Sequence, residues 1–354
     1  MPLRPSLGRL LVGAALLAPF AVGTAAAATP PAGGKVFVFG CAVMFSTRSG
    51  GTSSTRPGML NTDRNRQETS VSLVYNLAGF DSTAFQRITD QICGAAPASL
   101  TAAGYEVVTA GVTDHWAWKN AVEKGGVSPD AKGIGNVKAV VYAPTGQKVM
   151  VAEALGAAGS VAMIGAETTI GVAIGARPVS LLYTVDFADV QALNARGRLR
   201  DQDLAQVTAS IRLSIGLTAV SYDPTESRCT VRGAFGEARN QQMCGLKKME
   251  TRLDNVYVTD DSTERRFADP IVSVNRTSTG AAGAALAAAN VLSVLGGGGT
   301  ASYKQFDVVV DPAKYEAAAL EGARGLITPA MQWIDNPASR PRRRRYRPRH
   351  ASTE

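Results

Sequence analysis

A formal charge of +8 over 354 residues would suit a nucleic-acid binder, but the excess sits at the two ends. Of 37 Lys and Arg residues, nine are terminal (Arg4, Arg9, Arg340, Arg342, Arg343, Arg344, Arg345, Arg347 and Arg349). That leaves 28 in the body, against the 28 of 29 acids other than Glu354, so the body is neutral and nucleic acid is disfavoured as a partner.

In chain order, Arg4 and Arg9 precede an apolar run from Leu10 to Val22 and the small residues Ala25 to Ala28. This predicts a secretory signal over 1–28, cut before Thr29. The run is too short for a membrane span, and no cysteine stands at the cut to take a lipid. Val36 to Phe45 (VFVFGCAVMF) is almost continuously apolar and predicts a central strand covered on both faces. Ser46 to Thr69 has no period and predicts a long mobile loop. Ser70 to Leu77 alternates as a strand. Asp81 or Ser82 is placed to cap a helix with Phe85, Ile88 and Ile92 on one face. Pro97 breaks or restarts that helix, and Gly104 stops it before a strand at Tyr105 to Val108. Asp114 is the expected cap of a further helix through Lys124, which carries His115, Trp116 and Trp118.

Val137 to Tyr142 predicts another strand. In the Ala/Gly-rich stretch from Val149 to Ala176, Ala154, Ala158, Ala162 and Ala166 fall four residues apart, a smooth stripe suited to close packing within the fold or between subunits. Val179 to Phe187 alternates, with Ser180, Thr184 and Asp186 on the expected outer face. The clearest pattern is 207–219, where Val207, Ala209, Ile211, Leu213, Ile215, Leu217 and Ala219 alternate with Thr208, Ser210, Arg212, Ser214, Gly216 and Thr218. It predicts one long strand with an apolar face against the core. Shorter strands are expected at Thr230 to Phe235, Leu253 to Thr259 and Ile271 to Val274, and a second small-residue segment at Gly280 to Leu295. A last strand bears Phe306, Val308 and Val310. One closing helix follows, Ala313 to Trp333, which Gly322, Gly325 and Pro329 can bend or divide. The arginines of 340–354, interspersed with Pro341 and Pro348, form a disordered tail.

The fold class is therefore α/β or α+β: a single domain over 29–339 in which a mixed sheet, with the long amphipathic strand 207–219, packs against helices. In an exported chain the four cysteines allow two disulfides. Proximity favours Cys229 with Cys244; Cys41 reads as a small buried hydrophobe, and its pairing with Cys93 is left open.

Little in the chain carries chemistry. His115 is the one histidine of the body, and adjacent Asp114 cannot face it on a helix, so an interfacial or capping role is expected of it. No serine sits in a Gly-x-Ser-x-Gly elbow. Gly296 to Gly299 lacks the Lys and Ser/Thr of a phosphate loop, and Asp260, Asp261 and Glu264 lack the order of a calcium loop. No catalytic, cofactor-binding or metal-binding residue is assigned. Trp116 and Trp118 are the candidate partner contacts, and the tail arginines suit lipid headgroups or anionic glycans.

The order of VFVFGCAVMF, a helix leading into AAGYEVV, the strand TASIRLSIGLTAV and the final LITPAMQWI resembles the curli-secretion CsgG-like family of periplasmic α/β envelope proteins. The resemblance implies an oligomeric envelope architecture and carries no functional residue across. The expected function is that of a non-enzymatic exported protein, periplasmic or surface-associated. It would act by homo-oligomeric assembly or by binding an envelope partner, as part of a secretion or surface-structure system. The alternatives are a periplasmic hydrolase or glycan-processing enzyme using dispersed carboxylates, and a pore-forming or β-barrel protein if 207–219 has an equally long alternating partner.

Overall fold

The apolar run at Val36 lies in the strand on which the rest of the sheet is assembled. The computed structural model describes residues 33–55, 69–134, 136–155, 157–192, 205–224, 265–277 and 300–335, and in it β1 spans Gly33–Ser54. Phe37 and Phe39 are buried on one face of β1, and Val36, Val43 and Phe45 on the other.

Residues 46–54, expected in a loop, are strand. They pair with β2, Thr69–Ala78, in antiparallel register from Arg48 with Asn76 to Ser54 with Ser70. The small polar composition that reads as a loop is what close strand packing needs here. A Cβ at Gly50 would sit 2.9 Å from the Asn136 Cβ.

Val36 pairs at once with β3, Tyr105–Val107, and with β6, Arg177–Ala192, so these flank β1 on opposite edges. Arg48 likewise pairs with both Asn76 of β2 and Lys138 of β5, Val137–Tyr142. Along one edge, then, β6 gives way to β2; along the other run β3 and β5, with β4, Asp130–Ile134, paired to β5. β7, Val207–Ser221, pairs antiparallel with β6 along almost its whole length. With β8 (Arg265–Phe267), β9 (Ile271–Arg276) and β10 (Thr300–Val310), the order is β8-β7-β6-β1-β2-β10-β9. β8 and β9 stand at opposite ends of that order, yet only Ala268, Asp269 and Pro270 separate them in the chain. The sheet therefore curls until its ends approach.

Helices cover both faces. On one lie α1 (Ser82–Gly94) and α2 (Ala96–Ala102); α3 (Trp116–Lys124) and α4 (Ala157–Ile174) lie on the other. α5 (Pro312–Ala323) and α6 (Ile327–Asp335) join the first pair. Asp81 Oδ1 caps α1 by accepting from the Ala84 N–H at 2.8 Å, and Asp311 caps α5 in the same way. The expected single closing helix is two, divided at Gly325, whose φ of 78° is the left-handed conformation glycine adopts freely.

β7 follows the alternation of its sequence in its second half, where Leu213, Ile215, Leu217 and Ala219 are buried and Ser214 and Thr218 half-buried, although Gly216 is buried too. In its first half Val207, Ser210 and Ile211 are all half-buried and Ala209, expected against the core, is exposed like Thr208, because the helices reach only the second half. α5 and α6 cover the apolar face, and Gly322 lets α5 come so near that a Cβ there would lie 2.8 Å from Ile215. The mixed sheet packed against helices is thus the architecture expected from the sequence.

Cys41 is not a free thiol. It is bonded to Cys93 at the end of α1, Cα to Cα 5.7 Å, and ties the central strand to the first helical layer. Cys229, Cys244, the signal, the strand candidates at 230–235 and 253–259, the segment Gly280 to Leu295 and the tail arginines lie outside the described residues.

Candidate functional site

The side chains singled out by sequence as partner contacts lie on α3. Its N-cap is His115, where Asp114 was expected: Nδ1 of His115 accepts from the Ala117 N–H at 3.1 Å. That bond uses one ring nitrogen to satisfy an otherwise unpaired helix donor, which is the capping role expected of His115. Ala117 and Ala121 point into the core. Trp118 follows them and packs edge-on to Phe39, ring centroids 5.5 Å apart. Trp116, Asn120 and Lys124 are left on the outer side, and Trp116 is 66 % exposed. The structure therefore separates the two tryptophans: Trp118 is half-buried against the core, whereas Trp116 faces outward.

α4 lies beside α3 and runs antiparallel to it. Gly126, after α3, sits against Leu155 before α4, while Gly111, before α3, sits near Ile174 at the end of α4. Met163, Ile164, Ala166 and Ile170 pack inward. Between them Glu167 is 1 % exposed; its Oε1 accepts from Ser180 Oγ at 2.6 Å and its Oε2 from Tyr222 OH at 3.0 Å. Ser180, expected on the outer face of its strand, is buried as the donor to this carboxylate, because α4 covers that face of β6. A buried carboxylate must keep its hydrogen bonds, so Glu167 fixes the rotation of α4. Val161, Gly165, Thr169 and Val172 then face away from the sheet.

The expected alanine stripe divides accordingly. Ala154 is in a short 3₁₀ turn (Ala152–Ala154) before the helix, Ala166 is buried, and Ala162 is half-buried at the edge of the outer face. Between the helices lies a shallow groove of about 670 Å³, lined among others by Trp116, Asn120, Lys124, Val161, Gly165 and Thr169. At Gly165 an added Cβ would meet nothing within 4 Å, so no contact among the described residues requires glycine there. Lys124 makes no ion pair among the described residues.

Polar clusters elsewhere join elements. Asp335 at the end of α6 accepts from Arg177 at 2.8 Å and from the Tyr105 hydroxyl. Burial, followed by that bond, pushes the Tyr105 hydroxyl well above its ordinary range. Burial pushes Tyr315 up in the same direction, with Asp186 adding to it. Half-buried Arg48 donates to Tyr303 OH at 3.0 Å across the sheet.

Among the described residues no group of three or more His, Cys, Asp or Glu is placed to hold a metal ion. No described helix is long and apolar enough to cross a membrane, which does not bear on membrane-spanning strands. The chain matches no family model, no curated protein and no solved structure.

Two functional features had only faint sequence signals. Glu167 is a lone carboxylate in a run of small residues, on the same helical side as Met163, Ile164 and Ile170. The groove was foreshadowed by Trp116, Asn120 and Lys124 at four-residue spacing, but sequence alone did not show that Trp118 would turn inward.

Proposed function

We propose that this is an exported, non-enzymatic cell-envelope protein that works by contact, through assembly and through an anionic envelope partner. The observation that carries the reading is the outward Trp116 beside bare backbone at Gly165: an exposed aromatic anchor next to a smooth helix surface is a contact feature. The Cys41–Cys93 disulfide supports an oxidising compartment. The cap bond gives His115 a structural role at the start of α3. The arginines from Arg340 to Arg349 supply the charge for lipid headgroups or anionic glycans.

A second reading, a protein that builds a β-barrel pore, is favoured by one observation. β6 and β7 form an antiparallel pair from Val179 with Ser221 to Ala192 with Val207, shifted between Asp186 and Ala188, which supplies the length that reading requires but not the alternation, since most of β6 is buried on both faces.

Co-sedimentation with anionic and zwitterionic phospholipid vesicles, at low and high salt, tests the leading reading. The mature chain is expected to bind anionic vesicles salt-sensitively and to lose that binding without residues 340–354. No preference between vesicles, together with a monomeric mass at every concentration, would overturn it. Dye release from the same vesicles would favour the pore.

A further inference from the structure

We infer that the α3–α4 face is a self-association surface, on which two copies pack about a two-fold axis crossing both helices at the level of Asn120 and Gly165. This rests on the contact reading above and names the partner for one half of it.

The face is self-complementary. On α3 the outward residues are Trp116, Asn120 and Lys124; on antiparallel α4 they are Val161, Gly165 and Thr169. Each set is spaced by four residues, so each has a midpoint, Asn120 on one helix and Gly165 on the other. Reversing a second copy about those midpoints brings Trp116 against Lys124 of the other copy, twice. The unpaired ammonium thus meets an exposed indole face in a cation–π contact. Asn120 meets its own copy on the axis, where two amides satisfy each other as donor and acceptor. Gly165 also meets Gly165, and two helices can approach closely only where neither carries a side chain.

Glycine inside a helix is unfavourable relative to alanine, and among the described residues nothing within 4 Å of Gly165 calls for it. A second backbone against α4 does. The 18 residues of α4 extend about 27 Å and the nine of α3 about 14 Å, so the face that both helices share is roughly 14 by 20 Å, with α4 running on beyond it. Such a face suits a weak, closed pair, smaller than a standard specific interface.

Sedimentation velocity on the mature full chain over a concentration series tests this, with the variants Gly165→Leu, Trp116→Ala and Gly165→Cys. Wild type is expected to go from monomer to dimer. Gly165→Leu and Trp116→Ala should each weaken association at least about 30-fold, the loss typical of a central interface residue. Gly165→Leu should keep or raise the thermal midpoint, since its Cβ has free space in the monomer. Gly165→Cys should cross-link into a covalent dimer under mild oxidation. A wild type monomeric across the series overturns the proposal, as does association unchanged in both substitutions. Should Gly165→Leu prove unstable, exposed Trp116→Ala decides by itself. Salt-sensitive vesicle binding that survives loss of the dimer would leave the contact reading standing while removing this interface.

Discussion

The two helical layers are built differently. The layer of α1, α2, α5 and α6 is held by large rings, a disulfide and ion pairs: Phe45 stacks on Phe85 with centroids 4.3 Å apart, Cys41 bonds Cys93, and Arg87 grips Glu316 with two guanidinium nitrogens. The layer of α3 and α4 has small residues, one buried carboxylate and an outward tryptophan. The first also bears a groove, along α1, but the side chains that line it, Thr83, Gln86, Arg87, Asp90 and Gln91, are hydrogen-bonded within the fold. The second leaves a smooth groove open, and the difference teaches where to look for a partner: on the layer whose residues are not accounted for by the fold.

Several substitutions would break or sharpen that contrast. The largest effect is expected in the first layer. Replacing Cys41 and Cys93 by Ser should cost about 4 kcal/mol on a chain-entropy basis, since the bridge joins residues 52 apart in sequence. Guanidinium denaturation of wild type and variant measures it, and a change below 1 kcal/mol, roughly the size of an ordinary substitution, would show that the bridge does not organise this layer. Next comes the buried carboxylate of the second layer. Glu167→Ala strands the Ser180 hydroxyl and removes one of the partners of the Tyr222 hydroxyl, and should cost about 3 kcal/mol. Thr169→Ala, on the outer side of the same helix, should stay within about 0.5 kcal/mol. If the two cost the same, Glu167 does not set the rotation of α4.

Smaller, and of opposite sign, is Gly165→Ala, which should stabilise by up to about 1 kcal/mol, read as a raised thermal midpoint. At concentrations where the chain is monomeric, a loss of stability would mean that the α4 surface is already occupied within the monomer.

The pH dependence should also come from the first layer. The Arg87 hydrogen bond holds the Glu316 carboxyl below its ordinary 4.5, against an opposing push from burial. At Asp90, burial pushes upward but is outweighed by hydrogen bonds from Thr145 and Gln86, so it too lies low. A carboxyl lowered in the folded state contributes stability that is present above its unfolded value and lost as pH falls through the folded one. Both sites are largely solvated, so the acid loss should be slight. Buried Tyr183 and Tyr315, pushed up from 10.0, contribute stability present below that pH and lost as it rises further. Denaturation midpoints should therefore be flat near neutrality and fall on both sides, and Arg87→Gln should flatten the acid limb alone.

How much of this was legible in the sequence varies with the physics of each element. Strand 207–219 was clear in its second half because one face meets helices there and the other does not, so burial and alternation coincide. Phe85, Ile88 and Ile92 were clear for the analogous reason on a helix. Residues 46–54 were not, since their strand is held by pairing with β2 and by close approach at Gly50, and neither leaves a hydrophobic period. Ser180 was misplaced because alternation says which residues differ, not whether a second layer covers the polar ones. At the groove, Trp116 and Trp118 are alike in sequence, and only the position of Phe39 beneath α3 divides them.

The central place of β1 also has a consequence for how the chain reaches this state. VFVFGCAVMF is the most apolar strand, yet the β6 residues that pair with it begin at Arg177 and the strands completing the curl arrive after Arg265. A chain delivered N-terminus first exposes a bare β edge for well over a hundred residues, where it can pair with the same strand of a neighbouring chain. Productive folding therefore depends on keeping copies apart until β6 emerges, and intermolecular β-pairing through Val36 to Phe45 is the characteristic route to failure.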